Sequence, residues 1–427
     1  MKHRATRFHY LELEVGSDAL RGHYELDGRR FVEEVHFEGD VDLRSPEVRA
    51  LGELWFLLAG LSYYKAGAAH IVDLDTTPVG EKARALLRAA IVDGLGEYAY
   101  KNDLDLVDVE FVGGVHPTLV PIAIDPQRVL VPFGGGIDSV VTVEKLAPNL
   151  DKALFVVSPS SGQFAPLEDT ARVTGLAVVR ATRTIDHQIL SGDDSFYNGH
   201  VPVTAMVTLL AAVAALASGR GGVVMSNEHS SSAPNLRWHN RDVNHQWSKS
   251  WVAEQLIADA VAERIGDEFA IASYLRDRSE IWVAREFSKL TAYHHVFRSC
   301  NRAFTQRVDE RASNWCGECD KCLFIALVLA PFLSRNSLRE ILASEPLASD
   351  DRRGQLEILV GLGDERKPFE CVGDPAESAV ALHELMTNNE WRDEKNIAEL
   401  GVLVAPDETL EELLQSRGVS RVPAHWL

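Results

Sequence analysis

Basic residues are scarce in this chain: 43 Lys and Arg stand against 63 Asp and Glu, a formal net charge of −20. A protein that grips tRNA or DNA normally spreads cationic surface over the phosphates, so no nucleic-acid partner is expected. Long apolar runs are missing as well. The most apolar stretch, Val203 to Ala217, is uncharged but reaches only about three-quarters of the roughly 20 residues a membrane span needs, so it reads as a core helix and no membrane partner is expected. Residues Met1 to Tyr10 carry charges with no apolar core behind them. That is not the pattern of a secretory signal, and a cytoplasmic protein is expected. Cysteine is rare, five in 427 residues, and a disulfide framework does not suit a reducing compartment. Internal repeats and low-complexity tracts are lacking too. What is present is ordinary, 46% apolar and 25% charged, in a chain longer than one core usually serves.

The pattern predicts an α/β protein in three parts. Phe8–Val15, Gly22–Gly28 and Phe31–Phe37 alternate and are separated by turn residues, as in a small antiparallel unit. Helical spacing follows over Pro46–Ala66 and Glu81–Tyr100, with a strand-like His70–Asp75 between them. This makes residues 1–125 an N-terminal α+β domain, with Pro121 and Pro126 at the junction. Residues 126–335 alternate strands (Val129–Pro132, Ala153–Val157, Ala177–Arg180, Gly222–Met225) with helices starting near Ser139, Pro166 and Pro202, the signature of a parallel sheet. Residues 336–427 read as a helical C-terminal extension, unremarkable in chemistry. Ligands of parallel sheets sit outside the carboxyl ends of the strands. That rule gathers Gly134–Ser139, Ser158, Arg180–Arg183 and Ser226–Glu228 around one crevice.

The most informative stretch runs from Val129 to Glu144. A short apolar strand ends in Gly134-Gly135-Gly136, and Asp138-Ser139 open a helix. Glycines let the backbone approach an anion, and the free N–H groups of a helix start favour negative charge. The spacing fits neither G-x-x-x-x-G-K-[ST] nor the dinucleotide G-x-G-x-x-G. It resembles the S-G-G-x-D-S loop of the N-type ATP pyrophosphatases, the PP-loop superfamily, over Gly135, Gly136, Asp138 and Ser139. Gly134 stands where that family usually has serine. The resemblance implies a parallel-sheet ATP pyrophosphatase core, with ATP on Gly134, Gly135, Gly136, Asp138 and Ser139.

Four cysteines cluster at Cys300, Cys316, Cys319 and Cys322. Cys316-Gly-Glu-Cys-Asp-Lys-Cys322 spaces three thiols at i, i+3 and i+6, and Gly317 permits a tight knuckle. Four thiolates suit one structural Zn²⁺. Catalytic thiols, of the kind that deprotonate α-carbons in some racemases, and inert packing are the alternatives. The arrangement also resembles the zinc module of the 7-cyano-7-deazaguanine synthases. Cys371 stands alone and reads as a small buried apolar side chain.

Three polar segments lie between loop and cysteines: Asn198–Thr204, Met225–Asn235 and Val243–Ser250. Glu228, at a strand end, suits Mg²⁺ held jointly with Asp138 and phosphates. His245 and Lys249 are acid/base candidates whose pKa burial could bring near neutrality. His229, His239, Arg241 and the segment Tyr293–Ser299 compete with them.

In sequence order these blocks resemble the UDP-N-acetyl-α-D-muramoyl-L-alanyl-L-glutamate epimerases. They are Gly134–Val140, Gly199–Ala205, Val224–Glu228, Val243–Ser250, His294–Phe304 and Trp315–Cys322. The resemblance spans residues 130 to 333. It implies ATP- and Mg²⁺-dependent inversion of the terminal L-glutamate through an acyl-adenylate, with Asp138, His245 and Lys249 catalytic. It also implies Asn227, Asn244, Arg298 and Arg302 on the substrate, the small molecule UDP-muramoyl dipeptide, and a functional link to a muramoyl-L-alanine L-glutamate ligase. Arg183 and Arg237 are further cations for the anionic substrate. Another carboxylate-activating enzyme resembling 7-cyano-7-deazaguanine synthase, or a non-catalytic ATP-binding regulator, are the other classes.

Overall fold

The computed structural model describes residues 3–39, 41–304, 311–312, 314–362 and 367–427. Its twelve strands, among the described residues, are β1 (Arg7–Val15), β2 (Ala19–Leu26), β3 (Arg29–Glu38), β4 (Ile71–Asp73), β5 (Glu110–Val112), β6 (Arg128–Pro132), β7 (Asp151–Pro159), β8 (Val178–Thr184), β9 (Gly222–Met225), β10 (Leu236–Trp238), β11 (Arg241–Val243) and β12 (Ala270–Ser273). Ten of them form one sheet in the order β12-β9-β6-β7-β8-β3-β2-β1-β4-β5, and β10-β11 is a separate hairpin. The run β12-β9-β6-β7-β8 is parallel, and so is β1-β4-β5; β8-β3-β2-β1 is antiparallel. The chain is thus α/β with a mostly parallel central sheet.

The first three strands form as their alternation predicts. Phe31, Glu33, Val35 and Phe37 of β3 point to the core face while their neighbours stay more exposed. An Asp27-Gly28 pair with positive φ at both residues closes the β2–β3 turn, which matches the strand twist. β3 then pairs with β8, so strands from both sides of residue 125 share one sheet. A buried ion pair marks that seam. Arg183 on β8 donates through Nε and Nη2 to the two Glu33 carboxylate oxygens at 2.7 and 3.1 Å.

β6 is buried on both faces, which is why it reads as an unbroken apolar run. Leu130 faces the layer containing the helices Pro46–Ala59, Val203–Ala217 and Trp251–Ile265; Val129 and Val131 face the layer containing Ile137–Lys145, Glu280–Ser288 and Asp320–Leu329. Val203–Ala217 is a core helix, as its lack of charge predicts, and no helix among the described residues is long and apolar enough to cross a membrane. The helical stretch from Pro46 runs nearly as far as its spacing suggests, as Pro46–Ala59 and a short helix Leu61–Tyr64. Gly60 between them lies against the Tyr10 ring, where a Cβ would come within 2.7 Å of it. Glu81–Tyr100 likewise divides into Glu81–Ala89, a wide turn at Ala90–Gly94 and Gly96–Asn102. Beyond Pro331 the chain is helical, and helices Arg335–Leu342, Arg353–Leu359 and Pro375–Leu385 contribute to the core around Asp320–Leu329.

Candidate functional site

β6 lies at the middle of the five parallel strands, with β7 on one side and β9 on the other, so its carboxyl end opens where the strand order diverges. The chain leaves β6 through Phe133 into the three glycines and enters helix Ile137–Lys145 with Gly136 as N-cap. Gly135 has φ +73, a left-handed conformation costly to other residues, and packs against Leu167. Gly136 faces Ser299, whose Oγ would lie 2.9 Å from an added Cβ. Gly134 is open, with nothing within 4 Å of an added Cβ. A serine there would meet no steric obstacle.

A cleft of about 450 Å³ lies over this end of the sheet. Loop residues Gly134, Gly136, Asp138 and Ser139 line it, with Asn227 and Lys249 across from them and Arg298, Lys321 and Cys371 completing the wall. Asp138 sits in the first turn of its helix with Oδ1 buried and unpartnered. Burial first, then the negative Glu228, pushes its pKa up to about 6, against the pull of Lys321 and Lys249. Glu280 is also buried, has an unpartnered Oε2, and is pushed well above the carboxylate range by burial and by the charges of Glu228 and Asp138. Buried carboxylates that repel one another beside the glycine turn are held at an energetic cost, which a divalent cation or a proton relieves.

Lys249 does not move toward neutrality. Cys371 first, then Glu228, Asp138 and Glu280, outweigh the downward pull of burial and raise the ammonium pKa above the ordinary lysine value. His245 stands behind this wall. Its Nδ1 pairs with the Glu97 carboxylate, its side chain lies within hydrogen-bonding range of the Cys371 thiol, and these partners lift its pKa to about 9 against burial. Burial is the largest single influence on His245 and the second on Lys249, and at both the partners together outweigh it.

Arg276 fastens this side of the cleft. It is 2% exposed, donates to the Glu228 carbonyl at 3.0 Å and the Lys249 carbonyl at 2.7 Å, and pairs with Glu254 at 2.8 Å.

Other predicted residues lie elsewhere. Asn244 is an internal brace, donating to the Ser231 carbonyl and accepting from the Gln246 N–H. Arg302 pairs with Glu318 at 2.6 Å near the cysteines, Arg183 is committed to Glu33, and Arg237 lies beside Asp242 on the exposed hairpin. Arg180 is held by Glu168. Among the competing histidines, His239 occupies a positive-φ turn and His294 packs on Phe287.

Cys300, Cys316, Cys319 and Cys322 come together in a group that could hold a metal, all four Sγ atoms lying within 4.8 Å of one another. Cys319 caps helix Asp320–Leu329, and Gly317 takes φ +69 to turn the knuckle.

Cys371 does not fit its reading as an isolated apolar side chain. The segment Lys367–Gly373 is drawn across the cleft by three distant amides: Asn235 to the Pro368 carbonyl, Gln246 to the Val372 carbonyl and Asn301 to Glu370. Nothing next to Cys371 in sequence signals this, because its anchors come from other segments. Lys321 was hidden differently, inside the cysteine motif.

A mostly parallel α/β sheet carrying a glycine turn, buried carboxylates and facing cations over its strand ends defines a class: an α/β protein with a charged cleft at a strand-to-helix turn. Comparison with known proteins narrows this. The MurL N-terminal domain model matches residues 1–274 and the MurL C-terminal domain model residues 296–413. The chain belongs to the MurL family. It is 40% identical over 347 residues to a UDP-N-acetyl-alpha-D-muramoyl-L-alanyl-L-glutamate epimerase of Micromonospora, covering 80% of this chain and 76% of that protein. A Xanthomonas oryzae protein of the same name is 33% identical over 384 residues, covering 88% and 84%.

Proposed function

We propose that this chain inverts the α-carbon of the terminal L-glutamate of UDP-N-acetylmuramoyl-L-alanyl-L-glutamate for peptidoglycan synthesis, in the cytoplasm, consuming ATP and releasing AMP and pyrophosphate. The observation that carries this reading is the cleft: in a chain of this family, a glycine turn of PP-loop spacing faces Lys249 and Arg298 across Asp138.

The α-hydrogen beside a free carboxylate is barely acidic, since a carbanion there would face an existing charge. Joining the carboxylate to AMP removes that charge, and loss of the proton then gives a stabilised enolate. Gly134, Gly135, Gly136 and Ser139 cradle the phosphates at the helix start. Mg²⁺ suits Asp138 and Glu228 with the phosphates, because this ion usually takes one or two carboxylates and keeps other oxygen ligands; when bound it supplies charge neutralisation there. Asn227 and Arg298 reach the glutamate carboxylates. A second cleft of about 370 Å³ that shares Arg298 gives room for the nucleotide end of the substrate. Lys249 belongs to the wall where the proton is transferred, its charge compensating the enolate, and His245 stands just behind it. The L-glutamate-ended substrate is supplied by a ligase acting on muramoyl-L-alanine.

The four cysteines suit a structural Zn²⁺. A tetrahedral site with Zn–S near 2.3 Å has edges of about 3.8 Å. The Cys316–Cys322 and Cys319–Cys322 sulfur pairs lie 3.7 and 3.5 Å apart.

Incubation with ATP, Mg²⁺ and the L-glutamate-ended precursor tests the reading, followed by chiral analysis of the glutamate. AMP and pyrophosphate are expected in step with inversion; stoichiometric ADP would sink it. Asp138→Ala should abolish pyrophosphate release while the chain stays folded, because that carboxylate contributes charge at the loop and no packing. Undiminished release would remove Asp138 from the site.

A further inference from the structure

Beside Asp138, which the proposed function assigns to the cation, three groups at or just behind the cleft wall bear on proton transfer, and two already carry a proton. His245 is protonated near neutral pH, with Nδ1 engaged by Glu97, and Lys249 is held as an ammonium. Neither can accept a further proton in that state. The third is the Cys371 thiol, which lines the same cleft as Gly134, Asp138 and Lys249.

Resting on the proposed function, we propose that the Cys371 thiolate is the base that removes the α-proton of the activated glutamyl residue, and that His245 and Glu97 are positioning residues that hold it ionised and aimed. The sulfur lone pair takes the proton and forms S–H, while the C–H electrons pass into the enolate. Water returns a proton to the opposite face. The thiol releases its own to solvent, so protons and charge balance.

The geometry behind the thiol is that of a relay. Glu97 is 4% exposed, and one carboxylate oxygen receives the His245 Nδ1 while the other receives the Lys101 ammonium at 2.5 Å. Those contacts hold the Nδ1 edge of the imidazole against Glu97, and the Cys371 thiol interacts with the same ring. Glu97, His200 and His245 also converge closely enough to hold a metal. The Lys101 charge on Glu97 disfavours a cation there, and burial pushes His200 down to about 4, so it stays neutral and does not compete for the His245 proton.

The groups facing Cys371 are Lys249, His245, Lys321 and Lys367 on the cationic side and Asp138 and Glu370 on the anionic side. Lys249 and the His245 hydrogen bond prevail over burial and bring the thiol down to about 6. A thiolate is therefore the resident form at neutral pH.

The test uses the full chain with ATP, Mg²⁺ and the L-glutamate-ended dipeptide substrate in D₂O, reading AMP and α-deuterium in the same tube. Cys371→Ala should lose α-exchange by about 100-fold or more, the scale of general-base catalysis, while AMP still forms. Exchange within about threefold of the parent overturns the proposal. If AMP is lost as well, alkylation of the unaltered chain decides. Iodoacetamide labelling of Cys371, followed by peptide mass against pH, should show a midpoint near 6, and ATP with substrate should protect it. Glu97→Gln should move that midpoint upward. A midpoint at the ordinary thiol value of about 8.5, or one unmoved in Glu97→Gln, overturns the proposal. Absence of AMP and inversion in the unaltered chain would instead overturn the assigned reaction, since the alkylation midpoint does not depend on it.

Discussion

Two thiol environments lie on opposite sides of one helix start. Cys319 and Cys322, at the head of Asp320–Leu329, meet Cys300 and Cys316, while Lys321 between them turns to the cleft that Cys371 lines. In the quartet, sulfurs face sulfurs and backbone N–H groups, with the Cys316 and Cys319 N–H groups donating to thiols at 3.4 and 3.3 Å. Around Cys371, ammonium and imidazolium groups outnumber the two carboxylates, Asp138 and Glu370. Sulfurs gathered with one another suit a shared cation and a structural task; a sulfur facing fixed positive charge becomes a free thiolate, fit for chemistry. The difference lies in the neighbours.

Metal removal breaks the comparison most severely. Cys319→Ser should lower zinc content and melting temperature together, because ligation free energy is also folding free energy. The loss should far exceed the ~1 kcal/mol of an average substitution. Metal analysis beside calorimetry reads it, and a metal-free preparation of unchanged stability would erase the contrast. Next comes the fastening under the Cys371 side. Arg276→Met strands the buried Glu254 charge, and losing one partner of such a pair costs about 3–5 kcal/mol. It also frees the Glu228 and Lys249 carbonyls, so denaturant midpoint and turnover should fall together. Cys371→Ala should separate those readouts, with stability changed by about 1 kcal/mol or less while inversion collapses. A large drop in its denaturant midpoint would make Cys371 a structural residue.

The smallest effect concerns pH. At pH 7.5 the unfolded chain keeps the Cys371 proton on sulfur, whereas the folded chain keeps one on His245, given pKa values of about 6 and about 9. The pair therefore binds one proton in either state and gives stability almost no slope there. In Cys371→Ala, His245 loses the partner that raises its pKa most and keeps Glu97, so its folded value falls back from about 9. What stabilisation Glu97 still gives the imidazolium is complete below 6.5 and is lost as pH rises through the folded value. Relative to the parent, the variant should weaken above pH 6.5 by a fraction of ~1.4 kcal/mol per pH unit. Melting curves across that range show whether the thiolate and imidazolium are one coupled unit.

The glycine turn and the cysteine quartet were legible in the sequence because each is short-range. Phe133 to Ser139 folds as one strand-to-helix turn, and Cys316 to Cys322 as one knuckle. The first three strands were legible for the same reason, from alternation alone. β12 gave no such signal, since it is four residues long and buried on both faces, Ile271 in one layer and Ala272 in the other. The cleft wall was the least legible part. Cys371 depends on Asn235, Gln246 and Asn301, 136, 125 and 70 positions away, and nothing local marks it. Arg302 and Asn244 misled for the converse reason: they sit among promising neighbours but are turned into an ion pair and a brace.

One contact joins the two environments. Ser299, whose Oγ rests against Gly136 of the glycine turn, is the residue before Cys300 of the quartet. On the proposed reading, a metal that fixes Cys300 also fixes the wall of that turn, and a nucleotide held by the turn restrains Cys300 in return. Linkage of this kind is reciprocal. Chelators should strip zinc more slowly from the nucleotide-loaded chain than from the empty one, so the rate of metal loss becomes a gauge of occupancy at a site the metal never touches.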